Sequence, residues 1–577
     1  MNIGIYNIGI ASAIGIGTDE TLQNLKDGRS GIAAMQYLKS EHSELPVGEV
    51  KLSNDELKMR LGLPVERTVS RTTLLGAVAL KEALHGIDIA GKRVALVSGT
   101  TVGGMDVTED VFSKIKEDDS LLQYIKRHDC GSQTEEMAEV AGLHCIETCT
   151  ISTACSAALN AIITGCEMLK AGEADIVIAG GTEALSRFHL NGFNSLMILD
   201  HEPCRPFCKT RRGLNLGEGA AFLVLKPTSG ETPTWGCIAG YANRCDAYHQ
   251  TASSPDGEGA FLAMGSALQM AALTPADIDY VNAHGTGTPD NDKSESTALQ
   301  RLFGENIPPV SSTKSLTGHT TSASGAIETV ISILAMREGI IPQNVGWQEQ
   351  DEDCITPSTV ATKKELHTVM CNSFGFGGND SSLIITDGVK DNHCNATVND
   401  CRIVADVTID DAAQLNELSE YVSPRETRRM GSLLKAATLT SQKALKLAGI
   451  DKPDAVITAT AYGMLENSER FLTDMTENGE QTLSPTLFMQ STHNTIGSAI
   501  AIRLKCHGYN ITYTQGSKSL EWALRDARRL IATGKAETVL VGMHDEATPL
   551  FRSLFQRMNL PEPPALFSRA IILKRKV

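Results

Sequence analysis

The 577-residue chain lacks the cysteine spacing of a small metal or redox site. Its 14 cysteines include no CxxC pair, and zinc ligands accompany neither of the two closest spacings, Cys145/Cys149 and Cys204/Cys208. Cysteines scattered through a long chain fit reduced, mostly buried thiols better than a disulfide framework. We therefore expect neither a metal site nor a disulfide scaffold.

Long apolar segments are also missing. No uncharged apolar run approaches the roughly 18 residues that cross a bilayer. The start, MNIGIYNIGIASAIGIG, is apolar, but no Lys or Arg precedes it, because Lys26 is the first basic residue. A secretory signal needs a basic stretch before its apolar core. The expectation is a cytoplasmic protein with no membrane segment.

Basic residues are scarce relative to acidic ones. The 52 Lys and Arg residues against 69 Asp and Glu residues give a net charge of −17, which argues against general nucleic-acid binding. An acidic protein partner would need a local basic patch, for which the candidates are Lys126, Arg127, Lys209, Arg211 and Arg212. Solvated surface charges are an equally good interpretation of these five side chains.

The chain does contain an alternation of buried strands and helices. Its length suggests two to four domains, and its hydrophobic content of 41% and charged content of 21% are ordinary for a globular protein. Continuous apolar strands separated by helices predict an α/β fold with a mostly parallel sheet covered on both faces. The clearest strands are 94–99, 175–181, 280–285 and 382–388, and the clearest helices are 72–86 and 323–339.

The last third of the chain resembles a shortened copy of the first half. Three segments recur in the same order and with similar spacing: 73–103 as 433–463, 169–184 as 531–547, and 220–227 as 568–575. Chance similarity between α/β units is the alternative explanation. A polar stretch without periodicity, 389–400, separates the two parts. We therefore predict domains at 1–390 and 401–577, joined by a linker at 391–400.

One cysteine stands out by its position. The stretch ISTACSAALNA, residues 151–161, places Cys155 between a strand-like run and a helix of small residues. A helix N-terminus lowers the pKa of a thiol, and its unpaired backbone N–H groups can stabilise an oxyanion. Cys155 is therefore a candidate nucleophile, although a packed structural cysteine fits this stretch equally well.

Three further stretches carry polar or glycine-rich sequence: AHGTGTPDNDKSES (283–296), STKSLTGHTTSASGAIE (312–328) and CNSFGFGGNDSSLII (371–385). The first places His284 after a buried strand, and the second supplies Lys314, His319 and Glu328. The third does not open a helix, so phosphate binding is not predicted there. Taken singly, each stretch has an ordinary explanation as a core histidine, a capped loop or a turn.

In this order, Cys155, His284, Lys314 with His319, and the GFGG loop resemble the β-ketoacyl-[acyl-carrier-protein] synthases. The resemblance covers 3–388. The two histidines are similar to those of the elongating class, because initiating synthases have His and Asn and thiolases have a second Cys. It implies a thiolase-like layered αβαβα fold of two similar halves, about 1–230 with the cysteine and 231–390 with both histidines. The C-terminal part would add a third, degenerate α/β half-fold.

The resemblance also implies roles for individual residues. Cys155 would take the acyl group, the N–H groups of Cys155 and Phe376 would bind the oxyanion, and His284 and His319 would stabilise the malonyl enolate as carbon dioxide leaves. Lys314 is expected to pair with Glu328 and to hold the histidine loop. The residues expected to contact the substrate and its pantetheine arm are Thr286, Thr288, Phe374, Gly375 and Gly377.

No permanently bound cofactor is expected, because phosphopantetheine would arrive on the acyl-carrier protein. The expected partners are that carrier, acyl and malonyl thioesters, and either a second copy of the chain or the C-terminal domain as an intramolecular pseudo-dimer. The chain departs from the family at Cys208, Thr210 and Arg212, where acidic residues are common, and at Ser322, where glycine is usual. These departures leave the substrate class open.

The C-terminal copy has lost the cysteine. In ITYTQGSKSLEWAL (511–524), the counterpart of Cys155 is placed at Gln515 or Gly516, and this domain resembles the chain-length factors of polyketide systems. Two other functions are possible: a non-catalytic, length-setting partner of another synthase, and a thiolase-type enzyme acting on coenzyme A esters. The intact Cys155, His284 and His319 weigh against the first, and the lack of a second loop cysteine weighs against the other.

Overall fold

Strands and helices alternate along the chain in three consecutive units. The computed structural model describes residues 2–144, 146–228, 232–389, 399–428 and 430–576. The first unit contains β1 (Ile3–Ser12), β2 (Gly15–Ile16), α1 (Thr18–Asp27), α2 (Asn54–Leu61), α3 (Arg71–Ala83), β3 (Val94–Gly99), α4 (Met105–Val111), α5 (Leu122–Ile125), α6 (Cys130–Ala141), β4 (Glu147–Ile151), α7 (Ala157–Lys170), β5 (Ile176–Glu183), α8 (Arg187–Ser195) and β6 (Gly219–Pro227).

The second unit contains β7 (Cys237–Cys245), α9 (Glu258–Ala271), β8 (Tyr280–Asn282), α10 (Pro289–Phe303), β9 (Val310–Ser311), α11 (Lys314–Thr317), α12 (Ser324–Glu338), β10 (Ile340–Ile341), β11 (Thr362–Lys363), β12 (Thr368–Gly375) and β13 (Asn379–Thr386). The third contains β14 (Cys401–Ile409), α13 (Pro424–Thr427), α14 (Ser432–Ala448), β15 (Ala455–Ala459), α15 (Leu465–Asn478), α16 (Pro485–Met489), α17 (Thr495–Leu504), β16 (Tyr509–Tyr513), α18 (Ser519–Ala532), β17 (Thr538–Glu546), α19 (Pro549–Arg557) and β18 (Leu566–Arg575). All four strands and both helices predicted from the sequence are confirmed, with ends that differ by a few residues.

The three units share one strand order. It runs β4-β3-β5-β6-β1 in the first unit, β9-β8-β12-β13-β7 in the second and β16-β15-β17-β18-β14 in the third. In each unit the first three strands are parallel, and the last two pair antiparallel. The expectation of a mostly parallel sheet was therefore wrong. A strand covered on both faces is an apolar run whatever its direction, so the sequence pattern reports burial and not orientation.

The first two units stack as five layers with helices at the centre. Helix α7 packs on β3 and β5, α12 packs on β6 and β12, and the two helices contact each other. The two helices approach so closely that only glycine fits at position 325 of α12, because a Cβ there would lie 2.7 Å from the Cβ of Leu159 in α7. Helix α3 covers the outer face of the first sheet and α9 that of the second. This layered arrangement is the thiolase-like fold expected from the sequence.

The third unit docks on the first one, edge to edge. Strands β16 and β4 run antiparallel, with Tyr513 opposite Ile151, and the amide of Thr514 donates to the carbonyl of Thr150 at 2.9 Å. From α18, the Trp522 indole N–H donates to the carbonyl of Thr148 at 3.1 Å. The C-terminal domain therefore continues the sheet of its own chain. Most of the predicted linker, 391–398, lies outside the described residues.

Membrane-spanning helices, metal-binding groups and disulfides are all absent from the part of the chain that the structure describes. Within it, no helix combines the length and apolarity that crossing a bilayer requires. No group of three or more His, Cys, Asp or Glu side chains there is arranged to hold a metal ion. The cysteines in the described ranges are free thiols, all buried except the half-buried Cys401.

Candidate active site

Cys155 occupies a strained turn between β4 and α7. The preceding residue, Ala154, has a φ of 50°, in the left-handed region that side chains other than glycine rarely adopt. Such strain persists where the surroundings enforce it, and it recurs at functional sites. Here the carbonyl of Cys155 accepts a hydrogen bond from the Ser373 hydroxyl at 3.0 Å. The thiol, only 5% exposed, is thus fixed two residues before the first turn of α7.

The surroundings of Cys155 act on its pKa in opposite directions. Burial raises the pKa to about 11, because a thiolate loses its hydration inside the protein. The Lys314 ammonium and the backbone N–H groups of Phe376 and Cys155 favour the thiolate and oppose this increase. At neutral pH Cys155 is therefore a thiol, which would have to lose its proton to act as a nucleophile.

His319 is the imidazole next to this sulfur. Its Nε2 lies 3.1 Å from the Sγ of Cys155, and its Nδ1 lies 3.0 Å from the Ser324 hydroxyl. The backbone is held on both sides, because its N–H donates to the carbonyl of Asn215 at 2.7 Å and its carbonyl accepts from Gly217 at 2.9 Å. Burial, and then Lys314, lowers its pKa well below the usual value, so the ring is neutral at pH 7.

His284 is oriented by a buried ammonium. The Lys314 Nζ lies 3.1 Å from His284 Nδ1 and 2.6 Å from the His284 carbonyl, and it also bonds to Glu328. Because an ammonium only donates, Nδ1 must accept and the ring proton must sit on Nε2. Burial and the Lys314 charge lower the pKa of His284 well below its usual value. The result is a neutral imidazole with a fixed N–H donor.

One pocket collects the predicted site residues. Cys155, His284 and His319 line it together with the predicted contact residues Thr286, Thr288, Phe374, Gly375, Phe376 and Gly377. The two histidine rings are 5.3 Å apart between centroids and nearly perpendicular. Lys314 and Glu328 do not line the pocket, and both are 1% exposed behind His284. All eleven predicted residues therefore belong to one region: nine line the pocket, and Lys314 and Glu328 lie behind it.

Phe376 sits in the tight turn between β12 and β13. This three-residue turn, Phe376 to Gly378, includes two glycines with positive φ and aims the Phe376 N–H at the Cys155 sulfur. The Phe376 ring stacks on Phe193 with 5.6 Å between centroids and 20° between planes. The turn therefore presents a donor for an oxyanion on one side and an apolar wall on the other.

Several residues that shape the site were not predicted. Glu295 accepts from the amides of His284 and Gly285 at 2.9 and 2.8 Å, and Ser324 contacts His319. Phe193, on α8, lines the pocket, and Asn494 of the third unit donates to the carbonyl of the pocket residue Phe376. Glu295 and Ser324 lie within the stretches 283–296 and 312–328 but were not singled out there. Phe193 and Asn494 lie in no such stretch, so only the tertiary contacts could identify these two. The departure at Ser322 also has a contact, because its hydroxyl donates to buried Glu183 at 2.5 Å.

The counterpart of Cys155 in the third unit is Ser517, which corrects the placement at Gln515 or Gly516. Strands β16 and β4 have the same length, and the loop from β16 to α18 is as long as that from β4 to α7. The positive φ recurs at the matching position, at 53° in Gly516 and 50° in Ala154. A sequence match without strand register could not fix this position. Ser517 is exposed, whereas Gln515 is buried against Thr150 of the first unit. The third unit still has no cysteine there.

Comparisons with known proteins agree with this architecture. The family model "Beta-ketoacyl synthase, N-terminal domain" matches residues 2–230 and again 380–564, and "Beta-ketoacyl synthase, C-terminal domain" matches 235–348. Nodulation protein E of Rhizobium meliloti (strain 1021) is 32% identical over 406 residues, 65% of this chain and 97% of that protein. The 3-oxoacyl-[acyl-carrier-protein] synthase 2 of Coxiella burnetii is 32% identical over 417 residues, 66% of this chain and 97% of its own.

Solved structures show the same fold. One chain of the complex between the ketosynthase ApeO and its chain length factor ApeC from Xenorhabdus doucetiae is 32% identical and has a TM-score of 0.59. The match covers 67% of this chain and 98% of that one. The PfaC Keto synthase-Chain length factor structure has a TM-score of 0.81 at 17% identity and covers 100% of this chain and 78% of its own. The chain belongs to the β-ketoacyl synthase family. It is an enzyme of the β-ketoacyl-[acyl-carrier-protein] synthase class.

Proposed function

We propose that the protein extends an acyl chain by two carbons through decarboxylative Claisen condensation with malonyl-acyl-carrier-protein. The observation that carries this proposal is the contact between Cys155 Sγ and His319 Nε2 at 3.1 Å, in the pocket that also holds His284. A nucleophile, two neutral imidazoles and a backbone N–H donor then surround one point. Fatty-acid, polyene or polyketide synthesis in the cytoplasm would all use this reaction.

The first half-reaction is acyl transfer to Cys155. The sulfur attacks the carbonyl carbon of the acyl thioester as the thiol proton leaves, with neutral His319 in contact to accept it. The N–H groups of Phe376 and Cys155 stabilise the negative charge on the carbonyl oxygen. The tetrahedral intermediate collapses with loss of the carrier thiol, which takes up the proton. The acyl group remains on Cys155.

The second half-reaction makes the carbon–carbon bond. Loss of carbon dioxide from the malonyl thioester leaves an enolate, whose oxygen accepts a hydrogen bond from the Nε2–H of His284. His319 supplies the second donor when its proton is on Nε2. In that tautomer its Nδ1 accepts from the Ser324 hydroxyl, which turns from the Thr321 carbonyl to which it donates in the structure. The enolate carbon attacks the acyl-cysteine carbonyl, and the Cys155 thiolate leaves and is reprotonated. The product is a β-ketoacyl thioester on the carrier.

The carrier protein would deliver its pantetheine arm past Thr286 and Thr288. The two hydroxyl groups lie 2.8 Å apart at the pocket wall, where they can bind the polar amides of an extended arm. The phosphopantetheine stays on the carrier, so this role needs no cofactor held by the chain itself.

We also propose that the third unit occupies the place of a second synthase subunit. Three of its features support this: it repeats the strand order of the first unit, it pairs β16 with β4, and it has Ser517 at the cysteine position. Its aromatic side chains Phe471 and Phe488 pack against Phe188 of the first unit. The contact of Phe488 with Phe193, a residue of the pocket wall, supports a length-setting role for this unit, as in a chain-length factor.

One experiment separates catalysis from the two alternatives. Carbon dioxide release from malonyl-carrier is measured with and without an acyl-carrier primer, and the acyl mass on the protein is determined in parallel. The condensing enzyme should gain one acyl mass that Cys155→Ala abolishes, and should release a β-ketoacyl-carrier product. A purely length-setting subunit would show no acylation. A thiolase-type enzyme would use coenzyme A esters without decarboxylation.

A further inference from the structure

The third unit contacts the turn that carries Phe376 through one buried asparagine. Asn494 immediately precedes α17 and is 1% exposed. Its Nδ2 donates to the carbonyl of Phe376 at 2.8 Å and to Oδ1 of Asn379 at 2.8 Å. Phe376 is the residue whose N–H faces the Cys155 sulfur. One side chain of the third unit therefore binds the backbone of the oxyanion turn.

The side chain of Asn494 is committed to this contact and not to its own helix. An asparagine at a helix N-cap normally accepts a hydrogen bond from a first-turn N–H, but the Asn494 side chain makes no such bond. Its Oδ1 is buried without a hydrogen-bond partner in the structure. Leaving a buried acceptor unsatisfied is unfavourable, so the two donated bonds determine how this amide is oriented.

The orientation of the amide is fixed by a chain of buried asparagines. Asn379 donates its own Nδ2 to the carbonyl of Asn510 at 3.3 Å and so presents Oδ1 to Asn494. Asn243 donates to the same carbonyl and to Asn160 Oδ1, both at 2.9 Å. Asn160 in turn donates to Thr153 Oγ1 at 2.9 Å, two residues before Cys155. The network joins β16 and α17 of the third unit to both sides of the catalytic pocket.

The close approach of α17 to the turn is also built into the sequence. Gly377 has a φ of 85°, and a Cβ there would lie 2.0 Å from the hydroxyl oxygen of Ser498 in α17 and 3.1 Å from Asn494 Nδ2. Glycine is therefore needed at this position for the backbone conformation and for contact with the third unit. The glycine-rich loop serves the interface as well as the pocket.

We propose that Asn494 is a positioning residue of the condensing site, so that the third unit completes the oxyanion turn of the first two. This inference rests on the proposed condensation. By fixing the carbonyl of Phe376, Asn494 restrains the peptide planes on either side of that residue and keeps its N–H aimed at the sulfur and at the acyl oxygen. The degenerate domain then contributes to catalysis without contacting the substrate.

The test compares full-length Asn494→Ala and Asn494→Asp with Asn467→Ala. Asn467 is a buried asparagine of the same unit that donates to the carbonyl of Gln490 at 3.1 Å. In Asn494→Ala, the kcat for acylation of Cys155 should fall about tenfold or more, because a donor to the oxyanion is misplaced. The KM for acyl-carrier should stay within twofold, because the substitution does not alter the docking surface. Asn494→Asp should lose at least as much, because its carboxylate cannot donate. Asn467→Ala should acylate within twofold of wild type.

A second readout does not depend on the condensation. Alkylation of Cys155 by iodoacetamide, followed by peptide mass spectrometry, should require higher pH in both Asn494 variants, because the Phe376 N–H favours the thiolate. If wild type fails to condense, the proposed function fails, but this pH shift still tests Asn494. Unchanged acylation and an unchanged pH profile in a folded Asn494→Asp protein would overturn the inference, even if Asn494→Ala does not fold. An equal loss in Asn467→Ala would also overturn it.

Discussion

At the scale of single residues, the site combines a buried thiol with two neutral imidazoles. Burial disfavours charge on all three groups, and the Lys314 ammonium lowers the pKa of each of them. Lys314 is itself paired with Glu328, whose pKa burial raises to about 7 against the attraction of the ammonium. The catalytic groups therefore stay uncharged until substrate chemistry moves a proton. This arrangement makes two predictions about titration and decarboxylation.

The first prediction concerns the pH dependence of Cys155 alkylation. The pKa is raised from 9.0 to about 11, so at pH 7 to 9 only a small thiolate fraction exists and it should increase roughly tenfold per pH unit. The rate of carbamidomethylation at Cys155, followed by peptide mass spectrometry, should rise with that slope. A plateau below pH 8 would show instead that the site stabilises the thiolate.

The second prediction concerns the two histidines. His284→Ala and His319→Ala should each reduce decarboxylation of malonyl-carrier about 10²-fold or more, because each change removes a preorganised donor to the enolate oxygen. Release of labelled carbon dioxide measures this, and the exposed surface histidine variant His367→Ala is the matched control. Acylation of Cys155 should suffer less than decarboxylation in His284→Ala. Normal decarboxylation in both active-site variants would contradict the assigned roles.

At the scale of elements, the pairing of β4 with β16 joins the first unit to the third. Trp522 of α18 is 2% exposed, and its indole N–H donates to the carbonyl of Thr148. Beside it, Arg525 pairs with Glu147 and Glu173 of the first unit. The Arg525–Glu147 pair is exposed and the Arg525–Glu173 pair is half-buried. Exposed ion pairs contribute little free energy, so the buried indole should contribute more to this contact than the pair with Glu147.

The third prediction separates the two contributions of that indole. Trp522→Ala should lower the free energy of unfolding of the third unit by about 3–5 kcal/mol, through lost packing and the cavity left behind. Trp522→Phe keeps most of the ring and should cost about 1–3 kcal/mol, because the Thr148 carbonyl loses its donor. Urea denaturation followed by domain-resolved hydrogen exchange measures both. Equal, small losses in the two variants would mean that α18 does not anchor the third unit.

At the scale of the whole molecule, a net charge of −17 must be reconciled with an acidic carrier partner. The structure rules out one of the five candidate cations as a docking group, because Arg211 is buried and paired with Asp351 and Asp292. Arg211 also donates to the carbonyl of Pro289, a residue of the pocket wall. Lys209 and Arg212 of the same loop are both exposed, but Lys209 pairs with Glu349 at 2.6 Å. We therefore expect Arg212 to be the main cation of this loop that an incoming carrier meets.

The fourth prediction tests that surface. Arg212→Glu should raise the KM for the carrier several-fold at low salt and leave kcat nearly unchanged, because it repels an acidic partner without touching the pocket. The wild-type KM should itself rise with ionic strength as screening shortens the reach of Arg212. Steady-state kinetics at two salt concentrations measure both, with Lys126→Glu as the comparison. A larger effect of Lys126→Glu would move the docking surface to the region around α5.

The repeat and the residues of the candidate site could be predicted from the sequence alone. Cys155, His284, Lys314, His319 and the GFGG turn are local signatures, since each lies where a strand ends and the chain must turn. Strands and helices could be placed within a few residues because burial leaves an apolar run with a helical or extended period. The third copy was visible for the same reason, although its cysteine counterpart was misplaced until strand register identified Ser517.

Tertiary structure decided everything that depends on contacts between distant segments. Strand direction could not be read from the sequence pattern, because a strand covered on both faces is an apolar run whether it runs parallel or antiparallel to its neighbours. The proton position on His284 follows from a lysine 30 residues away. The contact of Asn494 with Phe376 spans 118 residues and joins two units of the chain. A single asparagine without a motif acquires such a role only when folding brings its amide to the one carbonyl that it holds.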